Sequence, residues 1–334
     1  MSFHKNSKNY LIIFLLFVVL ILSFFNYKLF QDNKNLKEQI FSYTHDSTFS
    51  NREPKFKLVS PNIAWMNVDE FLETQKTYTV SYHDLKEDIN KILSTSNGTY
   101  GVYIEDLSTG AWVGINEKEK FSPASLLKVP TMVAVLKRVE QNLTSLDQFV
   151  ELNIEDINKD SGNLWKKGEG YKITVRDLLT IMIKDSDNTA VLTLNRRILN
   201  SEEYIESRTA LGLPNPETNA YDEPISPKEY STMFRALYYS SYLRRTFSEL
   251  ALSIMLETNF NSQLPAGLPH GTMISHKVGF NEPKRSNHDC GIVYLENKHY
   301  IICVMSSNTD FKESDRVISE ISRVTYNYMA NPQK

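Results

Sequence analysis

Residues 122–130 read Ser-Pro-Ala-Ser-Leu-Leu-Lys-Val-Pro, and the pairing of Ser125 with Lys128 decides how the rest of the chain is read. Three residues apart in a helix, the two side chains share a face. A serine hydroxyl is a poor nucleophile at neutral pH and needs a base beside it. A lysine serves if burial or nearby cations lower its pKa. The start of a helix adds unpaired backbone N–H groups, whose partial positive charge suits a developing oxyanion. The bland alternative is the polar opening of an ordinary buried helix. Ser-x-x-Lys alone does not decide, because Ser2-Phe3-His4-Lys5 matches it too. Pro130 lacks the N–H that would bond the Leu126 carbonyl, and the sequence names no replacement donor.

Two later stretches bear on the choice. Ser186-Asp187-Asn188 follows the helical stripe "LLTIMIK". It is either a helix-ending turn, for which all three residues are suited, or a loop bringing a hydroxyl and an amide to Ser125. Lys277-Val278-Gly279 falls on an expected strand, where a glycine would let a substrate approach the backbone. Around these, "YHDLKEDINKILS" has helical spacing, and "GTYGVYIEDLSTGAWVGINEKE" reads as two strands joined at a turn through Gly110. "ASLLKVPTMVAVLKRVEQN" is apolar around most of its circumference, as a central helix must be. Thr174 and Asp177 stand in capping-box spacing, and Ser226 with Pro227 opens another helix. "TMISHKVGF", "DCGIVYLE" and "HYIICVMSS" are strand-like, and "ESDRVISEISRVTYNYM" closes as an amphipathic helix. This order predicts an α+β fold: an antiparallel β-sheet flanked by helices, with an all-helical second lobe.

Ser-x-x-Lys, then Ser-Asp-Asn, then a Lys-x-Gly strand resembles the class A β-lactamase and penicillin-binding protein family, and the resemblance runs from about residue 80 to 331. It extends to "YKITVRDLLTIMIKDSDNTA", "FNSQLPAGLPHGTMISHKVG" and "HDCGIVY". It implies that Ser125 attacks a carbonyl and is acylated, with Lys128 as base or proton relay. Ser186 passes a proton to the leaving nitrogen, and Asn188 holds the substrate's amide side chain. Lys277 offers positive charge to a substrate carboxylate and tunes Ser186. Gly279 admits the substrate, and the N–H groups of Ser125 and Phe280 form the oxyanion hole. His288 and Asp289 are expected to brace the strand. The implied substrate is a β-lactam or a muropeptide ending in D-Ala-D-Ala.

Two departures shape the functional expectation. Val278 stands where the family pattern has threonine or serine. One lost hydrogen bond to a carboxylate costs roughly 1.5–3 kcal/mol, or one to two decades in rate or affinity. The family's Glu-x-x-Leu-Asn segment, whose glutamate activates the deacylating water, has no counterpart in "GLPNPETNAYDEPIS". Glu217 is the nearest substitute, with Asp222 and Glu223 behind it. Acylation with slow deacylation is therefore expected, in a β-lactamase or a D-Ala-D-Ala carboxypeptidase. A non-catalytic wall-binding or sensor module on the same fold is the competing class.

Composition excludes other roles. The net charge is −3, and no polybasic tract points to nucleic acid. Seven histidines and two cysteines are scattered without metal-ligand spacing, so neither metal nor cofactor is expected. Asn9–Tyr27 carries no charge and would span about 28 Å as a helix, matching a bilayer core. We expect a short cytoplasmic tail (1–9), a transmembrane signal anchor (10–27), a stalk (28–75) and a hydrolase domain (76–332) outside the cytoplasm, acting as a monomer. A cleaved signal peptide is the alternative for the first segment. If "CGIVYLENKHYIIC" turns at Glu296-Asn297, Cys290 and Cys303 lie opposite each other. Since cross-strand disulfides are uncommon, two packed thiols are the expected state.

Overall fold

The computed structural model describes residues 28, 31, 56–60, 82–214, 223–296 and 298–331. The chain from Phe56 onward forms one compact unit. The expected membrane anchor, residues 10–27, lies outside the described residues. Among those described, no helix is long and apolar enough to cross a membrane.

Five strands form one antiparallel sheet: β1 (Thr99–Asp106), β2 (Trp112–Ile115), β5 (Met273–Asn281), β6 (Ser286–Leu295) and β7 (Lys298–Ser307). Their order is β2-β1-β7-β6-β5, which leaves β5 at an edge. Helix α1 (His83–Ser94) and the C-terminal α8 (Phe311–Ala330) cover one face. The second lobe is helical: α2 (Lys128–Glu140), α3 (Val175–Lys184), α4 (Asn188–Arg197), α5 (Ser201–Ala210), α6 (Pro227–Tyr238) and α7 (Arg245–Leu256). It also holds a small ladder of β3 (Phe149–Glu151) with β4 (Lys172–Thr174), too short to leave a periodic signal. The lobe is thus not all helix, as the sequence had suggested.

Strand alternation sorts the core. On β7, Ile301, Cys303 and Met305 face the helical lobe, while Tyr300, Ile302 and Val304 pack with α1 and α8. Helix α2 runs through the lobe's centre, and every residue from Lys128 to Leu136 is buried. The caps form as the sequence requires. Thr174 accepts from the Asp177 N–H, and Ser226 with Glu229 makes a full capping box behind Pro227.

Two expectations are corrected here. The β6–β7 hairpin places Cys290 directly opposite Cys303, as expected, but the two are joined in a disulfide rather than packed as thiols. The register sets the two residues opposite each other, and their Cα atoms lie 3.9 Å apart. Residues 56–60, which fall within the expected stalk, are held against the helical lobe. Leu58 and Val59 are buried in the helical lobe's core. The Glu249 carboxylate on α7 accepts the backbone N–H groups of Lys57, Leu58 and Val59. Ser60 N–H donates to the Tyr238 carbonyl, and Arg245 lies over the Phe56 ring.

Removing the Glu249 carboxylate strands three backbone donors. We expect Glu249→Ala to destabilise the domain by about 1–3 kcal/mol, lowering Tm by several degrees. Thermal unfolding checks this, and an unchanged Tm would mean that residues 56–60 are not held to the domain through α7.

Candidate active site

Ser125 sits in a single 3-10 turn, Ala124–Leu127, that runs directly into α2. In such a turn residues three apart eclipse, so the hydroxyl lies against the first residue of the following helix. That residue is Lys128, whose Nζ is 2.9 Å from Ser125 Oγ. Edge strand β5 supports the turn from the side. A Cβ on Gly279 would lie 2.8 Å from both the Leu126 Cγ and the Pro123 carbonyl oxygen. What this glycine admits is the nucleophile's own turn, and Gly279 does not line the cleft.

The Ser186-Asp187-Asn188 loop arrives from between α3 and α4. Asp187 caps α4 by accepting from the Ala190 N–H at 3.0 Å, and its other oxygen accepts from the Leu164 N–H at 2.8 Å. Gly162 must be a glycine, since its φ is +82° and a Cβ would fall 2.0 Å from that second oxygen. With the loop so fixed, Lys128 Nζ lies 2.7 Å from the Ser186 carbonyl, 3.1 Å from Ser186 Oγ and 2.7 Å from Asn188 Oδ1. The amide of Asn188 is oriented by its own Nδ2, which donates to Asn158 Oδ1 at 3.2 Å.

Lys277 approaches Ser186 from the sheet. Its Nζ donates to Ser186 Oγ at 3.0 Å and to the Val278 carbonyl at 2.9 Å. It is fully buried, 5.5 Å from the centre of the Phe260 ring. Burial, then the neighbouring Lys128, push its pKa well below the usual lysine value. Of the two roles the resemblance implies, tuning the Ser186 hydroxyl matches this placement. Val278 is 3% exposed and is not among the described residues that line the cleft.

Burial lowers the Lys128 pKa to about 7, with Asp187 acting in the opposite direction. A neutral amine has two N–H donors and one lone pair. Its shortest contacts, the Ser186 carbonyl and Asn188 Oδ1, are pure acceptors and take the two donors. The lone pair is left for a hydroxyl, which is the arrangement of a general base at Ser125.

The cleft has a volume of about 480 Å³. Ser125, Lys128, Thr131, Asn158, Asn188 and Asn195 line it, with Phe280, 42% exposed, at its mouth. No carboxylate is among the described lining residues. Glu217 and Asp222 lie outside the described residues, and Glu223 does not line the cleft. Among the described residues no acidic, histidine or cysteine cluster could hold a metal ion.

His288 and Asp289 brace, as expected. His288 Nδ1 accepts from the Ser306 N–H, so Nε2 carries the proton and donates at 2.8 Å to the Ser122 carbonyl, three residues before the nucleophile. Asp289 pairs with buried His276 at 2.8 Å and accepts from the Leu264 N–H. The sequence reading missed Asn158 and Tyr230. Tyr230 donates to the Leu126 carbonyl, which also accepts a backbone N–H just past the turn but has no donor at Pro130. The proline was the available signal, since it removes one backbone donor from that carbonyl.

Comparison with known proteins places this geometry. A family profile described as "Beta-lactamase enzyme family" matches residues 84–329. β-Lactamase VEB-1 of Pseudomonas aeruginosa is 23% identical over 76% of this chain and 95% of its own length. β-Lactamase SME-1 of Serratia marcescens is 22% identical over 71% of this chain and 86% of its own. Among solved structures, PBP-A superposes with a TM-score of 0.69 at 25% identity, covering 75% of this chain and 97% of that one. A β-lactamase from Sphaerobacter thermophilus gives 0.67 at 20% identity, covering 76% and 100%.

Two pH dependences follow. If Lys128 is the base for Ser125, the rate of acylation should rise with pH and level off above about 7, the pKa of that amine. A pH–rate profile checks this, and a flat profile from pH 5 to 9 would remove Lys128 as the base. His288 is held at a pKa of about 4, below its ordinary 6.5. The unfolded chain then binds a proton that the folded one refuses, so its contribution to stability is full above 6.5 and is lost as pH falls toward 4. His288→Gln should flatten that part of the stability–pH curve in urea titrations.

Proposed function

This chain is a serine hydrolase belonging to the β-lactamase enzyme family, and we propose that it opens β-lactams, or the related D-Ala-D-Ala peptide bond, through a Ser125 ester that it clears slowly. The observation that supports acylation is the Lys128 amine, buried, with a pKa near 7 and 2.9 Å from the Ser125 hydroxyl. Ser125 Oγ attacks the carbonyl carbon as its proton passes to Lys128. The tetrahedral oxyanion is met by the N–H groups of Ser125 and Phe280, the latter on the edge strand of the sheet. The C–N bond then breaks. Ser186, bonded to both lysines, gives its proton to the leaving nitrogen and is resupplied from Lys128. Asn188 has a second role open to it, holding a substrate amide, since it lines the cleft while bonding Lys128.

Slow clearance is supported by the composition of the cleft wall. Deacylation needs a base for water on the far side of the ester, and the described lining supplies amides, hydroxyls and cations but no carboxylate. That balance favours a penicillin-binding or carboxypeptidase role over rapid lactam hydrolysis. The uncharged stretch Asn9–Tyr27 supports a membrane anchor, with the hydrolase domain working on the outer side of the membrane.

The test is to mix the full chain with benzylpenicillin and follow intact mass. A covalent adduct on Ser125 that persists while free penicillin is consumed only stoichiometrically is the expected outcome. A transient adduct with accumulating product would make the protein a true β-lactamase and overturn slow deacylation. No adduct, and no cleavage of a D-Ala-D-Ala peptide, would sink the acylation reading.

A further inference from the structure

We propose that Tyr230 positions the nucleophile turn for acylation, a role that rests on the acyl-enzyme reading above. Pro130 has no N–H, so the Leu126 carbonyl lacks the α-helical bond it would have made there and accepts instead from a backbone N–H just past the turn and from one side chain. The Tyr230 hydroxyl stands 2.8 Å away. The peptide plane bearing that oxygen joins Leu126 to Leu127, between Ser125 and Lys128 in the chain. Its orientation therefore sets how the hydroxyl meets the amine. The turn has only four residues and opens on Ala124 at a φ of +49°, a left-handed conformation unfavourable for alanine, so a side-chain bond adds restraint where the short backbone ladder supplies few.

The donor is itself rigid. Tyr230 is fully buried, with its ring 5.7 Å from that of Phe234 in an edge-to-face contact. Burial pushes its hydroxyl well above the usual tyrosine pKa, so it remains protonated. The segment leading to it holds the other end of the nucleophile strand as well. Phe121 and Ile225 exchange backbone hydrogen bonds at 3.0 and 2.9 Å. Residues 225–230 thus grip the chain before and after Ser125. Tyr230 does not line the cleft, so it acts through the turn and not on the substrate.

A structural hydrogen bond and a positioning one are separated by a double-mutant cycle on the full chain with Tyr230→Phe, Pro130→Ala and the pair. Each protein is acylated with benzylpenicillin over a concentration series, followed by intact mass, and unfolded in urea. Tyr230→Phe should slow the limiting acylation rate roughly tenfold, with little change in the half-saturating concentration. In the Pro130→Ala background the new N–H takes over the Leu126 carbonyl, and the same substitution should slow the rate by about twofold or less. An equal penalty in both backgrounds would overturn the role, as would a Tyr230→Phe protein that loses stability but keeps its limiting rate. If the wild type itself forms no adduct, the acylation reading fails and the positioning role with it. The urea cycle still reports whether the Tyr230–Leu126 bond exists, so the two failures are told apart.

Discussion

The structure turns on one buried amine. Lys128 Nζ is surrounded by four oxygens, those of Ser125, the Ser186 backbone, the Ser186 side chain and Asn188, none of them anionic. Dipoles alone compensate a buried ammonium poorly, and the protein responds by letting the amine lose its proton near pH 7. Lys277 is joined to Lys128 through the Ser186 hydroxyl, and burial followed by the charge of Lys128 lowers the Lys277 pKa as well. The acceptors come from separate parts of the chain: the start of α2, the loop before α4, and a side chain oriented from Asn158. The site therefore exists only when the sheet and the helical lobe are both folded around α2.

Holding those oxygens in place requires backbone that the local sequence would not choose. Ala124 and Ser186 both have positive φ, 49° and 53°, one beside the nucleophile and the other supplying two oxygens to the amine. Non-glycine residues persist in this region only where their surroundings over-determine them. Around Ala124 the surroundings are Gly279 and the Pro123 carbonyl, His288 on Ser122, and Tyr230 on Leu126. Around Ser186 they are Asp187 with its two backbone donors and the Asn188 N–H bonded to the Ser161 carbonyl. Strain at the chemistry is thus opposed by hydrogen bonds one or two residues away.

Much of this was legible in the sequence because the chemistry is written at short range. Ser125 and Lys128 are three apart, Ser186 and Asn188 two apart, and each pair lies next to a helix whose stripe is plain. The strands were legible by alternation, and so was the register that opposes Cys290 to Cys303. Less visible were contacts whose partners are distant in the chain. Tyr230 is 104 residues from Leu126, and Glu249 about 190 from the segment it holds. Residues 56–60 read as linker because their burial depends on α7, not on any periodicity of their own. The state of the two cysteines depended on a Cα separation that pairing alone does not give. Gly279 was read as the point where a substrate approaches the backbone, and in the structure the neighbours there are Leu126 and Pro123 of the protein's own turn.

The same geometry bears on the fate of the ester. After acylation the Ser125 oxygen no longer carries a proton, and the amine regains its lone pair by resupplying Ser186. Lys128 is then the one basic nitrogen among the described cleft residues with a pKa near neutrality. Its two N–H bonds aim at the Ser186 carbonyl and Asn188 Oδ1, so the lone pair stays directed at the Ser125 ester oxygen. A base so oriented holds no proton on the Ser125 side and can take one only from a nucleophile that approaches from that side. It is poorly placed to take a proton from water on the opposite side of the acyl carbon. On the proposed acyl-enzyme route, arranging one lysine for acylation would thus work against hydrolysis, unless a second base reached the far face of the ester.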